Sequence, residues 1–350
     1  MKIVDRFRDI VKTSRAALGV RLGGERARPF VLSHLITNRC NADCPMCLWK
    51  GEFEGLRTEE VKELYRQAGE LGFLNLVVWG GEPLLREDLP EVLQAARSAG
   101  LSTTVITNGY YLPERYHEVG PYIDLLTVSL DAVGEVHDTF RRLPDSFKRA
   151  TEGIKLIRAR YKNIKILLNS VITRPNVKDV GPLLEFSREN NLPIFFEPMT
   201  TWDYGVHPRG VEAQALIPSE EDGLRISRRL IGSKARGFPV VNSYEYINVI
   251  GRRRAGYRCW YKRLVLRVEP DGKIMDCQRR GRIIGDTQVS SLADIFNSPA
   301  YKEFLRRTQD CGKCIDSATV ESSFIWDLRP GCLFNALKVY GMFRKGLRLN

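Results

Sequence analysis

From residue 30 the chain alternates short apolar, β-branched runs with helix-patterned stretches. This rhythm restricts the available folds more than any other feature. The strand-like runs are Phe30–Thr37, Leu74–Trp79, Thr103–Thr107, Leu125–Leu130, Ile164–Ile172 and Pro193–Pro198. Between most of them lie helical patterns. Thr58 can cap a helix through Gly69 with its hydroxyl. Arg86–Ala99 ends at Gly100, a usual helix terminator; Ser146–Tyr161 and Asn176–Asn191 are two more. Strands alternating with helices predict parallel βαβ units. Six near-continuous apolar strands predict a sheet buried on both faces. The expected class is α/β, a partial (β/α)6 barrel of TIM type, with an open doubly wound sheet as the competing architecture. In either, chemistry belongs at the carboxyl ends of the strands.

The polar motifs fall at those ends. Strand one is followed by Cys40, Cys44 and Cys47, spaced C-x3-C-x2-C. Strand two runs into Gly80-Gly81-Glu82-Pro83, and strand three into Thr107-Asn108-Gly109. Strand four carries Ser129 and Asp131, strand five Asn169, Ser170 and Thr173, and strand six ends in Glu197-Pro198. Five polar ends around one face, beside a three-cysteine loop, describe a single site. Cysteine-only ligation suits zinc or an iron–sulfur cluster. A disulfide framework does not suit a chain without secretory features.

At 350 residues the length predicts about two domains. No apolar run approaches the ~18 residues of a membrane span, and residues 1–20 hold no uninterrupted signal-type apolar core. The expected location is cytoplasmic, with peripheral contact at the inner membrane face. The net charge of +12 is concentrated in three places. Residues 1–28 hold eight Lys and Arg against three acids, 231–263 eight against one, and 321–350 five against two. Such segments favour anionic partners. The division expected is a basic amphipathic arm (1–28), a barrel (29–215), a helical connector (216–255), a small second unit (256–320) and a basic tail helix (321–350). In the second unit, strands at Val265–Val268 and Lys273–Met275 flank a Pro-Asp-Gly turn signal, and a helix Leu292–Arg307 follows.

The cysteine run, the Gly80-Gly81-Glu82-Pro83 loop, Ser129-Leu130-Asp131 and His137-Asp138-Thr139-Phe140-Arg141, in this order, resemble the radical S-adenosylmethionine (radical SAM) superfamily. The resemblance implies that Cys40, Cys44 and Cys47 ligate a [4Fe–4S] cluster whose open iron chelates S-adenosylmethionine. It implies cofactor contacts at Met46, Gly80, Gly81, Glu82, Pro83, Asn108, Ser129, Asp131, Arg141, Asn169 and Ser170. Glycines 80 and 81 would let backbone approach the methionine amine. Glu82 would orient the loop or accept from the ammonium, and Arg141 would pair with a carboxylate, that of the cofactor, through its planar fork. The family often places an aromatic residue before the third cysteine; Met46 stands there, and a thioether can still contact a ring. Trp49 is expected to shield the cluster.

Cys259, Cys277 in Gly272-x4-Cys277, and the pair Cys311-x2-Cys314 resemble the twitch version of the SPASM extension. This implies one auxiliary [4Fe–4S] cluster with all four cysteines as ligands. Zinc is the alternative for this set. Cys332 is read as a buried thiol. Substrate contacts are expected from Tyr204, Asp203 and His207 after strand six, with Tyr204 and Asp203 as catalytic candidates; His34 and His117 are read as structural. The expected partners are a flavodoxin- or ferredoxin-type reductase and an anionic membrane surface, without nucleic acid. The leading substrate expectation is a lipid or polyprenyl-type molecule. It rests on two basic amphipathic segments, one with Ile3, Val4, Phe7, Ile10 and Val11, the other with Phe334, Leu337, Tyr340, Met342 and Phe343. The alternatives are maturation of a ribosomal peptide and dehydrogenation of a sugar or aminocyclitol.

Overall fold

The computed structural model describes residues 17–24, 27–200, 215–277, 281–307 and 311–344. Six strands run parallel in chain order: β1 (Val31–Thr37), β2 (Asn75–Gly80), β3 (Ser102–Thr107), β4 (Leu125–Ser129), β5 (Lys165–Ile172) and β6 (Ile194–Pro198). Helices Thr58–Glu70, Leu89–Ser98, Leu112–Val119, Ser146–Arg160 and Val180–Glu189 carry the chain back between them. A doubly wound sheet reverses its strand order at a switch point. Here the order never reverses from β1 to β6, so the partial barrel is the architecture.

Burial alternates along the strands, as a pleat requires. On β5, Ile166, Leu168, Ser170 and Ile172 are buried, whereas Leu167, Asn169 and Val171 are half-buried. The same alternation runs through β2 and β6. The buried set packs on the helices: Leu76, Val78, Val105, Leu126, Leu168 and Phe196 meet Val61, Leu64, Tyr65, Leu93, Ile154 and Leu183 in one core. Each such side chain contributes about 1.5–3 kcal/mol. The opposite face was expected to be equally buried. β1 beyond Val31 and the middle of β4 are buried on both faces, but Thr104, Ser129, Asn169 and Glu197 on the inner face are only half-buried.

The second unit is not a separate sheet. Strands β7 (Val265–Val268), β8 (Lys273–Met275) and β9 (Ile283–Asp286) extend the first, in the order β6-β5-β4-β3-β2-β1-β7-β8-β9. β7 pairs in parallel with β1, Val31 opposite Val265 through His34 opposite Val268. The connector is likewise no loose linker. It holds helices Glu220–Ala235 and Tyr244–Arg252, and residues 239–242 between them line the β6 edge. There the Asn242 side chain acts as a short strand, accepting from Phe196 N at 2.8 Å and donating to Phe196 O at 3.0 Å. Both edges of the six-strand sheet are therefore covered, which removes open pairing sites.

Three local expectations shift. Arg57, not Thr58, is the cap of helix Thr58–Glu70: Glu60 closes a capping box onto it, and the Thr58 hydroxyl donates to Asp88 at 2.7 Å. The helix expected over Leu292–Arg307 is two, Leu292–Asn297 and Pro299–Arg307. Ser298 precedes a proline and is extended there. The tail helix Pro330–Arg344 packs through Cys332, near Ser243, and Asn335, bonded to Val241 O. Its other face leaves Phe334, Leu337 and Tyr340 exposed. No helix among the described residues is long and apolar enough to cross a membrane.

Replacing Asn242 with Ala leaves two buried β6 backbone groups unpaired. A loss of about 2–3 kcal/mol is expected, read as a lower midpoint in urea unfolding; an unchanged midpoint would show that the edge is held by other contacts.

Candidate active site

The cysteine loop is pinned where it leaves and rejoins the sheet. Asn38 N donates to Phe53 O at 3.1 Å, Phe53 N donates to the Asn38 side chain at 2.6 Å, and Gly51 N donates to Asn38 O at 2.7 Å. The chain between is thus a closed loop. Inside it, Ala42, Cys44 and Leu143 are buried together, with Cys40, Met46, Cys47 and Tyr110 packed around them. Met46 stands with the thiols. Burial, then the neighbouring Glu82, push the Cys40 thiol up to about 12; burial also raises Cys44.

The glycine loop packs directly on the base of the cysteine loop. Gly81 N donates to Thr37 O at 2.7 Å, and Glu82 N donates to Arg39 O at 2.8 Å. A Cβ on Gly80 would lie 2.1 Å from Thr37 O, and one on Gly81 2.1 Å from Arg39 O. Gly80 also has φ +142°. These glycines let two backbones touch beneath the cysteines, whatever else approaches from above.

Glu82 is fully buried. Its carboxylate accepts from Leu84 N (3.0 Å), Thr107 Oγ1 (2.6 Å) and Asn108 N (2.7 Å). It therefore braces the loops, and its two oxygens are occupied within the protein. Burial raises its pKa, while those donors hold it down. Pro83 opens the short turn that Glu82 caps. Asn108 then reaches Asn41 of the cysteine loop at 2.8 Å.

Arg141 pairs with a carboxylate of the protein itself. Its Nε and Nη2 lie 2.8 and 2.7 Å from Asp131 Oδ2. Asp131 Oδ1 accepts from Val171 N at 2.8 Å, and Asp131 N donates to His137 Nδ1 at 3.1 Å. The Arg141 carbonyl accepts from Asp43 N. This buried pair locks the ends of β4 and β5 to the cysteine loop.

Ser129 and Asn169 are register partners on the lumen face. Ser170, one residue on, is buried among the helix-facing side chains, so pleat parity removes it from the lumen. Asn169 Oδ1 is buried with no partner. Glu197, on β6, was noted only as a polar strand end. Ser317 Oγ donates to it at 3.1 Å. Burial, then the nearby Asp316, push its pKa up to about 7. Asp203, Tyr204 and His207 lie outside the described residues. His34 is buried beside Tyr65, its Nδ1 2.9 Å from the phenol oxygen, and His117 is exposed; both fit structural roles.

In the second unit, Cys259 N donates to Cys311 O at 2.9 Å, and Tyr257 Oη donates to Cys314 O at 3.0 Å. Cys277 follows β8. Burial pushes Cys259 up to about 11. Cys332 sits apart, 3.5 Å from Ser243 Oγ, and burial pushes it up to about 12. Among the described residues no three His, Cys, Asp or Glu side chains close around a single ion. A cubane asks for a wider spread, since each thiolate binds a different iron.

A partial barrel with a soft-ligand loop on β1 and a cysteine-bearing extension defines an iron–sulfur enzyme. Residues 35–186 match the model of the radical SAM superfamily, and residues 259–315 match that of an iron–sulfur cluster-binding domain of SPASM type. The chain belongs to that superfamily and carries that domain. Its cofactors are S-adenosylmethionine, a SAM-binding [4Fe–4S] cluster and an auxiliary cluster. It is 32% identical over 174 residues to the Fe-coproporphyrin III synthase of Methanosarcina barkeri, covering 47% of this chain and 42% of that one. The chain thus spans about two fifths of that relative. It is 27% identical over 292 residues to the PqqA peptide cyclase of Granulibacter bethesdensis, covering 79% and 76%. The fold is similar to that of Streptococcus suis SuiB bound to S-adenosylmethionine: TM-score 0.64, 16% identity, 80% of this chain and 68% of that one.

Two outcomes follow from the geometry. Gly81→Ala drives a Cβ against Arg39 O, so the cysteine loop shifts; thermal stability falls and reconstituted iron on the first site drops. Full iron with an unchanged melting temperature would contradict this packing. Glu197 binds a proton in the folded chain up to about pH 7, but only to its usual 4.5 when unfolded. Its contribution is therefore greatest at low pH and is lost as pH rises from about 4.5 to 7, about 3 kcal/mol in all. Glu197→Gln should flatten that slope in unfolding titrations and raise stability at pH 8.

Proposed function

We propose that this chain is a peptide-modifying radical SAM enzyme, one that joins or oxidises side chains of a peptide substrate. The observation that carries the reading is the match to a peptide cyclase across most of both chains. The synthase match covers less than half of either. The lipid or polyprenyl reading gives way to this one, because the relatives point to peptides and tetrapyrroles. The exposed face of helix Pro330–Arg344 alone does not carry it.

In this reading Cys40, Cys44 and Cys47 hold the SAM-binding cluster, and Cys259, Cys277, Cys311 and Cys314 hold the auxiliary one. The chemistry supplied by the reduced cluster with S-adenosylmethionine is homolysis of the cofactor's sulfur–C5′ bond and hydrogen-atom abstraction from carbon. The protein's part is positioning. Met46 offers its thioether to a ring face, and Ser129 and Asn169 stand side by side at the ends of β4 and β5. Glu82 and the Asp131–Arg141 pair keep the loops from moving. Trp49, packed edge-on against Trp79 at 5.1 Å, closes the lumen wall beside the cysteine loop. Electrons come from a small reductase of flavodoxin or ferredoxin type.

Anaerobic reconstitution is expected to give about eight irons per chain, two cubanes. With Cys40, Cys44 and Cys47 all changed to Ala, iron should halve and 5′-deoxyadenosine formation stop. For the substrate class, deuterated candidate peptides should transfer label into 5′-deoxyadenosine and emerge lighter by two hydrogens. Label transfer from a tetrapyrrole or a lipid, and from no peptide, would overturn the reading.

A further inference from the structure

A surface away from the cysteine loop carries charge that the chemistry above does not use. From Arg252 to Arg263 the chain has six Lys and Arg and no acid. Lys262 and Arg263 are buried, whereas Arg252, Arg254 and Arg258 are exposed. Arg258 stands immediately before Cys259. Its guanidinium lies 5.1 Å from the ring centre of Trp260, the residue after that cysteine.

Trp260 is the centre of an aromatic platform. Its ring centre lies 5.9 Å from that of Trp326, which lies 6.1 Å from that of Phe30, just ahead of β1. The Trp260 backbone N–H donates to Ser323 Oγ at 3.0 Å, and its indole N–H to Asp327 Oδ1 at 2.8 Å. A second arginine arrives from far along the sequence. Arg21, in the helical turn at residues 17–22, donates to Trp326 O at 2.5 Å. Its guanidinium lies 5.8 Å from the Trp260 ring centre and 6.0 Å from that of Trp326. Hydrogen bonds and ring contacts thus fix the platform, while Arg21 and Arg258 beside it are exposed.

The charge here is one-sided. Asp327 is bonded to Trp260 and lies 4.0 Å from Arg329. Neither Arg21 nor Arg258 pairs with a carboxylate among the described residues. Guanidinium groups held on aromatic faces are weakly hydrated and suit ion pairs with a partner protein. Leu18 and Leu22, on the turn that carries Arg21, and Leu328, two residues past Trp326, are exposed apolar side chains. Aromatic and aliphatic groups with arginine among them are the composition of a protein interface. The excess charge asks for an acidic partner. Position says which: Cys259 holds the auxiliary cluster in the reading above, so a protein seated on Trp260 comes within one residue of a cluster ligand.

We propose that the Trp260–Trp326 platform, with Arg21 and Arg258, docks the acidic face of a small one-electron carrier protein. This rests on the reductase named above and says where on the chain it sits: beside the second cysteine set, not the first. The role of these side chains is binding; none of them gains or loses an electron.

The test is calorimetric titration of the cluster-loaded full chain with a purified bacterial flavodoxin, an acidic carrier. Binding is expected at about 50 mM salt and about tenfold weaker at about 300 mM, because salt screens the attraction. Changing Arg21 and Arg258 together to Glu should weaken low-salt binding about tenfold or more, whereas Arg258→Lys should bind like the parent. Lys148→Glu with Lys155→Glu, exposed on helix Ser146–Arg160, makes the same change in net charge elsewhere and should alter affinity by no more than about twofold. Iron content and melting temperature check that each variant is folded. If the double arginine variant is not, Arg258→Glu alone and the salt dependence of the parent decide. Salt-insensitive binding, unchanged affinity in a folded arginine variant, or an equal loss in the lysine control overturns the proposal. Cosedimentation with phosphatidylglycerol vesicles that the arginine variant abolishes, with flavodoxin affinity unchanged, would give the surface to a membrane instead. No flavodoxin binding by the parent would sink the reductase and its surface together. Binding that ignores the arginine variant would sink the surface and leave the reductase standing.

Discussion

One buried carboxylate organises the mouth of this barrel. Glu82 leaves β2 through two glycines, and its own N–H bonds the base of the cysteine loop. Its side chain collects donors from the next turn and from the end of β3. Three chain segments far apart in sequence thus meet at one group with no water around it. A charge buried this way is costly unless it is fully hydrogen-bonded. Three donors, two of them backbone, meet that condition. The Asp131–Arg141 pair repeats the device on the opposite side, from β4 and β5. Between these two anchors stand the three thiols, packed with Ala42 and Leu143.

The sheet sets the relation of the two cysteine sets. Because β7 hydrogen-bonds directly to β1, the strand preceding the first set and the hairpin preceding Cys277 share one register. Moving one set relative to the other would break that ladder. The inner face of β2 to β6 then lies beside both.

Much of this was legible in the sequence. All six parallel strands lie within a residue or so of the expected bounds, because β-branched runs ending in Gly, Asn and Cys mark strand ends clearly. The β7–β8 hairpin was legible from Glu269-Pro270-Asp271-Gly272. What escaped was non-local. No sequence signal states that β7 will choose β1 as its neighbour, or that Asn242 will imitate a strand beside β6. The sequence pattern does not show that Arg141 pairs with Asp131, ten residues earlier, because the helix that brings them together folds back over the end of β4. Ser170 could have been excluded from alternation alone, since Leu168 and Ile172 share its face. The backbone contacts that require Gly80 and Gly81 are also non-local, to Thr37 and Arg39 across the sheet, and no local pattern reveals them.

The central claim is that one cluster, on Cys40, Cys44 and Cys47, meets S-adenosylmethionine directly, while the other is fully ligated by protein. Electron paramagnetic resonance of the reduced, reconstituted chain tests it most directly. The account predicts two cluster signals, of which one shifts on adding S-adenosylmethionine, and the variant with those three cysteines changed to Ala keeps only the unresponsive one. Two signals that both ignore the cofactor, or a responsive signal that survives in that variant, would contradict it.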